Sequence, residues 1–271
     1  MALFGRQVSL QYGQPGEEGV QLDKLRIGFN VKHTDSGASP KASISVWGLS
    51  PLSVGELQKP GVIVRLSAGY ESPQVIFEGA PIRKGIRVER RGPERVLSIE
   101  AKGGGRQTQK ARVELTWSTE TTLRQVVERV ASEMGVPLGV LQLPDGVVFA
   151  GGLTVSGPAS ELLDRVADMA GASWMVRDGE LVFMTLGGSS GDSRVVLSAE
   201  NGNLIGPPTL KEGGLVEFLA LMETSLRPGK LFVARSEDYR GTYVAKEVVF
   251  TGDSGYSQEY YTRVVGRERA A

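Results

Sequence analysis

The hydrophobic positions follow two periods, and the change between them divides the chain. From Lys41 to Gly79 the period is two. Ile44 and Val46 alternate with Ser43 and Ser45, the pattern of a strand with one buried face. Pro51 opens a short polar helix or turn that Pro60-Gly61 closes, and Val62 to Leu66 returns to extended structure. Gly69-Tyr70 opens a further turn before the strand Val75-Ile76-Phe77-Glu78-Gly79. The same pattern surrounds this stretch. Val8-Ser9-Leu10 is a short strand followed by a Gly/Pro/Glu turn from Gly13 to Gly19, and Leu25, Ile27 and Phe29 alternate with Arg26, Gly28 and Asn30. Ile86 and Val88 lie among the charges of Arg83 to Arg91, and Leu97, Ile99 and Ala101 alternate again. Roughly seven short strands with turns about every ten residues predict a barrel or sandwich.

After Trp117 the period becomes helical. Leu123, Val126, Val127, Val130 and Met134 form one stripe, with Thr121 or Thr122 to cap its start and Gly135 with Pro137 to end it. A second stripe, Leu162, Leu163, Val166, Ala167 and Ala170, is capped by Ser156 or Ser160 and stopped by Gly171. Trp174-Met175-Val176 and Leu181-Val182-Phe183 flank Asp178-Gly179, a hairpin signal. This predicts a small α+β unit with two amphipathic helices on one sheet face. Gly103-Gly104-Gly105 precedes it, and Gly187-Gly188-Ser189-Ser190-Gly191 follows as a flexible joint. Strand signals then return at Val195-Val196-Leu197, Leu204-Ile205, Leu215 to Met222, Lys230 to Ala234, Tyr243 to Phe250 and Tyr260 to Val265. The predicted fold class is mainly β with an α+β insert. Two barrel-like β domains, residues 1–110 and 191–271, flank or enclose the two-helix unit at 111–190, and strands of the first barrel are available to complete the second.

Composition narrows the function. A length of 271 residues suits two or three domains, and 40% hydrophobic with 23% charged residues suffices for a buried core. Lys+Arg and Asp+Glu both total 31, so the net charge is zero. That argues against a dedicated nucleic-acid or membrane-surface binder, which needs excess positive charge. A neutral surface also lacks self-repulsion, which suits a chain that is assembled with others. There is no cysteine, so disulfides, thiolate nucleophiles and cysteine metal sites are ruled out, in keeping with a reducing compartment. No apolar run approaches the roughly 18 residues of a spanning helix, so stable membrane insertion is not expected. MALFGRQVSL lacks the order of a signal peptide, which leads to an expectation of synthesis and retention in a cytoplasm.

Few residues invite a chemical reading. His33 is the single histidine, so neither a histidine metal cluster nor a Ser/His/Asp triad is expected, and it is expected at a surface or turn. Gly103-Gly104-Gly105-Arg106 lacks the Lys-Ser/Thr and immediate helix of a phosphate loop and reads as a linker. Glu161, Asp164 and Asp168 share a helix, but Arg165 offers Glu161 an i,i+4 ion pair, so a solvated face is expected. Asp253 in Thr251-Gly252-Asp253 reads as a turn residue. Arg83, Lys84, Arg87, Arg90, Arg91 and Arg95 form the densest basic group. Glu89 and Glu94 interrupt it and no aromatics interleave, so a solvated strand face or polar subunit contact is expected. Trp47, Trp117 and Trp174 read as core or interface anchors, and Tyr256, Tyr260 and Tyr261 as an interface or an exposed edge face. No catalytic, cofactor-binding or metal site is assigned, and no cofactor is expected.

Three groups of residues, in this order, carry a resemblance. The first is Ala42-Ser43-Ile44-Ser45-Val46-Trp47-Gly48-Leu49-Ser50, then Pro60-Gly61 with Ala68-Gly69-Tyr70, then Ile76-Phe77-Glu78-Gly79. The second is the helix pair, Thr122 to Val127 and Ala159 to Leu163, ending in Trp174-Met175-Val176-Arg177-Asp178-Gly179-Glu180-Leu181. The third is Leu204-Ile205-Gly206-Pro207-Pro208, Leu226-Arg227-Pro228-Gly229, Gly241-Thr242-Tyr243-Val244 and Phe250-Thr251-Gly252-Asp253. Together they resemble the baseplate hub proteins of contractile-tailed phages, the late control protein D and Mu-like tail hub group. The resemblance implies a non-enzymatic virion structural protein: a homotrimer whose paired barrels form a ring of six similar units joining a sixfold tail tube to a threefold central spike. It implies partners among tail tube or distal tube, spike and other baseplate proteins. It also implies assembly in the bacterial host cytoplasm and no sequence-specific nucleic-acid binding, although a genome could pass through the lumen. Larger relatives carry lysozyme or spike domains, for which this chain has no room. The alternative is a glycan- or peptidoglycan-binding module of an envelope protein, which calls for a groove of exposed aromatics. A third reading, a carboxylate glycosidase, needs two acids converging in a cleft.

Overall fold

The computed structural model describes residues 5–14, 17–35, 39–103, 111–177, 180–185, 195–255, 257 and 259–269. Several sequence expectations fall outside these residues: Gly104-Gly105-Arg106, the Asp178-Gly179 turn, the Gly187 to Gly191 joint and Tyr256.

The first β segment contains β1 (Arg6–Gly13), β2 (Val20–Leu22), β3 (Ile27–Thr34), β4 (Lys41–Trp47), α1 (Pro51–Leu57), β5 (Ile63–Tyr70), β6 (Gln74–Arg91) and β7 (Glu94–Gly103), with sheet order β3-β4-β7-β6-β5-β1-β2. The period-two positions face inward. Ile27, Phe29 and Val31 of β3 meet Ala42, Ile44 and Val46 of β4, with Leu97, Ile99 and Ala101 of β7 beside them. At α1, Ser50 Oγ accepts the Ser53 N–H at 3.2 Å and Pro51 occupies the first turn, so Val54 and Leu57 are held in the core.

The middle unit contains β8 (Arg112–Trp117), β9 (Thr121–Thr122), α2 (Leu123–Met134), β10 (Leu138–Leu141), β11 (Val148–Phe149), β12 (Leu153–Pro158), α3 (Ala159–Ala170), β13 (Ala172–Arg177) and β14 (Glu180–Thr185). Its strands form small sheets of their own: β8 with β12, β9 with β11, and the row β10-β14-β13. Its core is separate, built from the α2 stripe (Leu123, Val126, Val127, Val130, Met134), the α3 stripe (Leu162, Leu163, Val166, Ala167) and Trp174, Leu181 and Phe183. Thr122 makes a full capping box with Gln125, and Gly135 takes the left-handed C-cap at φ 64°. The start of α3 differs from expectation. Its N-cap is Pro158, whose φ of −61° suits the entry to a helix, and no side chain caps it. The first free N–H, that of Ala159, donates instead to the Ala111 carbonyl at 2.8 Å, which leaves Ser156 in β12 and Ser160 inside the helix.

The second β segment contains β15 (Val195–Ser198), β16 (Thr209–Lys211), β17 (Leu215–Leu221), β18 (Leu231–Arg235), β19 (Arg240–Asp253) and β20 (Tyr260–Glu268). Here the order is β16-β17-β20-β19, with β18 on the early half of β19 and β15 parallel to β18. The late half of β19 pairs antiparallel with β3, so the two β segments share one hydrogen-bonded sheet. One core cluster accordingly runs from Val8 and Leu10 to Phe250, Tyr260 and Val264. The chain is thus mainly β with an α+β insert, in which the strands of the two ends are joined.

Replacing Thr122 by Ala removes one half of a reciprocal cap and should cost about 1 kcal/mol. Ser156→Ala and Ser160→Ala should each cost less than half of that. Urea midpoints of the three variants, compared with the parent at constant slope, check the difference.

Candidate functional site: a strand joint and two open sheet ends

No catalytic constellation forms among the described residues. Glu161 lies on α3 and Asp253 at the end of β19, on elements that belong to separate cores, so the acids of a glycosidase reading do not converge. Glu161, Asp164 and Asp168 all lie on the exposed face of α3, and Asp164 also accepts the Trp174 indole N–H at 2.7 Å. Arg165 sets its guanidinium 6.0 Å from the centre of the Phe149 ring, and no Glu161–Arg165 pair occurs among the described ion pairs. No group of three or more His, Cys, Asp or Glu residues could hold a metal ion, and no helix is long and apolar enough to cross a membrane, among the described residues. An open cleft of about 480 Å³ on the middle unit is lined by Trp117, Glu120, Thr121, Gln125, Glu128 and Arg129. Trp117 is its one aromatic lining residue, unlike the aromatic groove a glycan module calls for.

The densest set of specific contacts lies instead at the joint between the β segments. Seven residue pairs, from Glu247↔Thr34 to Asp253↔Gly28, register β19 on β3. Asp253 is not merely a turn residue. It is the last residue of β19, only 7% exposed, and it accepts Arg26 Nη2–H at 2.9 Å and Nε–H at 3.1 Å across 227 residues of sequence. It also accepts the Gly255 N–H at 2.7 Å. Arg26 lies 4.3 Å over the Trp47 ring, so its cation is sandwiched between a carboxylate and an aromatic face, and the carboxylate holds its pKa above the ordinary arginine value. Ser254 Oγ takes the Ile27 N–H at 2.9 Å, and Lys32–Glu247 and Lys246–Asp35 pairs, both at 2.7 Å, frame the other end. Gly252 is required by close approach: a Cβ there would meet Phe29 Cζ at 2.5 Å and Tyr260 Cδ2 at 2.8 Å.

Tyr260 is buried, not on an exposed edge face. Its hydroxyl accepts the Gly69 N–H at 2.8 Å and sits 2.8 Å and 3.1 Å from the Gly69 and Gln7 carbonyls, bridging β20 to β5 and β1. Burial pushes its pKa up to about 12. Tyr261 beside it is half-buried.

His33 also departs from expectation. It lies within β3, its Nε2–H donates to the Ile76 carbonyl at 2.8 Å, and its ring meets Phe250 edge-on at 5.8 Å. Ile76 is the extra residue of a bulge between β5 and β6, where Leu66 faces Phe77 and Ser67 faces Val75. His33 satisfies one carbonyl of that bulge, and Arg227 Nη2 satisfies the neighbouring Val75 carbonyl at 2.7 Å. Burial first, and the Arg227 charge second, hold the imidazole pKa down to about 4. Arg26, His33 and Arg227 carried no local signal for these roles, because their partners are remote in sequence.

The joint has two open ends. The sheet can be followed as one row, β16-β17-β20-β19-β3-β4-β7-β6, with four strands from each segment. At one end, β5 pairs β6 only as far as Gly79, and the register between β6 and β7 jumps between Pro81 and Ile86. Lys84 within that jump has a φ of 62°, a left-handed conformation that costs a non-glycine residue of order 1 kcal/mol. The basic group expected on a solvated strand face lies here. Arg83, Lys84, Arg87, Arg90 and Arg95 are exposed, and Arg90 stands directly opposite Arg95. Ile82 and Val88 are exposed among them. At the other end, β16 presents Leu210, 62% exposed, with Ile205 exposed nearby.

No protein-family model matches the chain, and no curated protein matches it by sequence. Its fold, by contrast, is shared with solved structures. The 43 kDa tail protein of prophage MuSo2 from Shewanella oneidensis is similar with a TM-score of 0.68 at 11% identity, over 98% of this chain and 99% of that one. A tail protein from Neisseria meningitidis MC58 gives a TM-score of 0.68 at 10% identity, over 98% and 97%. The E. coli c3393 protein, a component of the type VI secretion system with structural similarity to the T4 tail proteins gp27 and gp5, gives 0.64 at 12% identity, over 96% and 77%. The chain therefore has the fold of phage tail proteins along nearly its whole length.

Two outcomes follow from the joint. Asp253→Ala strands Arg26 and should cost about 2 kcal/mol of stability, the scale of a hydrogen-bonded charged pair, read as a lowered urea midpoint. His33 should titrate near pH 4 by NMR, in a spectrum with no other histidine to overlap it. The unfolded chain takes up this proton near pH 6.5, while the folded chain stays neutral to about 4. Stability from this group is therefore complete above pH 6.5 and falls by up to roughly 3 kcal/mol as pH drops to 4. A His33→Gln variant should lose that part of the pH dependence.

Proposed function

We propose that the protein is a structural, non-enzymatic component of a phage tail baseplate. In this reading it is a hub whose three copies form a ring between a sixfold tail tube and a threefold central spike. The observation that carries the proposal is the fold shared with phage tail proteins over 98% of this chain and 99% of the relative. The physical character of the chain supports it. The specific contacts are joints between strands, charge is balanced at 31 of each sign, and exposed Ile82 and Val88 lie among exposed cations on β6. Each subunit would supply two barrel-like units, residues 1–110 and 191–271, giving six similar units around the ring, with 111–190 available to other baseplate parts. Partners on this reading are the tube or distal tube protein and the spike, and the site of action is the virion, after assembly in the host cytoplasm.

Light scattering after size exclusion, across a concentration series, tests the proposal. The expected result is a species of about three times the 29.0 kDa chain mass, either at once or as concentration rises. A strict monomer at every concentration, and also in the presence of the spike protein, overturns the trimeric hub.

A further inference from the structure

We propose that the tip of the β6–β7 hairpin in one copy docks into the cleft on the middle unit of the next. Its paired arginines enter between Trp117 and the carboxylates of Glu120 and Glu128. The inference deepens the ring reading above and rests on it.

The cleft follows from how α2 is built. The apolar stripe of α2 packs inward, which turns Gln125, Glu128, Arg129 and Ser132 together onto its outer face, one wall of the cleft. The end of β8 and the turn after it supply the facing wall, with half-buried Trp117 and exposed Glu120. Arg129 is held by Glu133 at 2.9 Å, and the Gln125 carbonyl accepts the Thr122 N–H at 2.9 Å. Glu120 and Glu128 form no ion pair among the described residues. About 480 Å³ of open space therefore keeps two unanswered carboxylates beside an indole.

The hairpin tip is the complement. β5 leaves β6 at Gly79, and β4 leaves β7 at Trp47, opposite Val96, with Gly48 N–H reaching on to the Arg95 carbonyl. Beyond that point the two strands continue as a bare ribbon, closed by the two-residue turn Gly92-Pro93 between Arg91 and Glu94. Arg90 and Arg95 stand directly opposite each other, both exposed, and neither forms an ion pair among the described residues. Like charges in that register repel each other until carboxylates approach.

The chain itself shows the contact chemistry. Arg26 is sandwiched between the Asp253 carboxylate at 2.9 Å and the Trp47 ring at 4.3 Å. The cleft offers an indole with two carboxylates, and the tip offers two guanidinium groups whose Cβ atoms lie about 5 Å apart across the strands. One arginine laid on Trp117 with its edge toward a carboxylate repeats the Arg26 arrangement, and the other answers the second carboxylate. No described hydrogen bond or ion pair joins tip and cleft within the chain, and their elements belong to separate cores. Each copy thus carries both halves of the contact unmet. Because the halves differ, the contact is head-to-tail, which closes into a ring when the rotation per copy divides the circle.

The test uses the full chain. Arg90→Glu with Arg95→Glu reverses the tip, and Glu120→Lys with Glu128→Lys reverses the cleft. All four sites are exposed, and circular dichroism checks folding. Sedimentation equilibrium reads self-association. Each reversal alone is expected to weaken trimer formation by about tenfold or more, and all four substitutions together to restore it. If either reversal alone leaves association unchanged, or the combined chain stays as weak as its parts, the docking is overturned while the ring reading stands. Should the combined chain fail to fold, Arg90→Cys with Glu128→Cys decides, since the chain has no other cysteine. A long bismaleimide is expected to link that chain into covalent trimer and the single-cysteine chains no further than dimer. A double-cysteine chain that links no further than the single ones overturns the docking as well. A parent that is monomeric throughout overturns both readings.

Discussion

A backbone N–H or C=O turned away from water needs a partner, and in a sheet that partner must be another strand. The large sheet of this protein exists as one object because β19 supplies partners on both of its edges. Its early half pairs with β18, its late half with β3, and β20 runs along its other side. The register shift between Ala245 and Glu247 turns the strand between these neighbours. Everything specific at the joint follows from fixing that register. A slip by one residue would turn Gly252 away from the Phe29 and Tyr260 rings and put a side chain where none fits. It would also part Asp253 from Arg26. The ion pair, the ring contacts and the glycine thus select one alignment of two strands that hydrophobic pattern alone would leave sliding.

The same constraint sets the sequence range over which the chain must close. Arg26 and Asp253 lie 227 residues apart, so the joint closes only after nearly the entire chain is available. Pairings of such long range carry a large closure entropy and form late. The middle unit, with its own core and capped helices, closes over much shorter distances. Its position between the two β segments means that this compact unit forms inside the loop that the joint must close.

Much of the architecture is legible in local sequence because local rules determine it. The alternation of Ile44 and Val46 with serines, the 3.6-residue stripe from Leu123 to Met134, and Thr122 with Gln125 all act within a few residues. What escaped is what depends on distant partners. His33 follows an alternating strand and precedes polar residues, so nothing nearby tells that a bulge carbonyl 43 residues away will need its N–H. Asp253 has every local mark of a turn, and only the folded chain brings Arg26 and the Trp47 face to it. Pro158 capping α3 escaped for a related reason, since the acceptor that replaces a serine cap, the Ala111 carbonyl, belongs to the residue before β8. Sequence separation, not the kind of residue, marks the line between the two groups.

The antiparallel joint also has mechanical character. Its hydrogen bonds lie across the strands, so a pull along β3 and β19 loads all seven residue pairs together, in shear. A pull that parts the strands from one end loads them one after another, as a zip. The Arg26–Asp253 pair and the Ser254–Ile27 hydrogen bond close one end of the joint, and the Lys246–Asp35 pair closes the other. Both places where peeling would begin are therefore locked by charged or hydroxyl contacts. The seam between the two halves of the chain is built to slide under load only as a whole, and to resist being opened from either end.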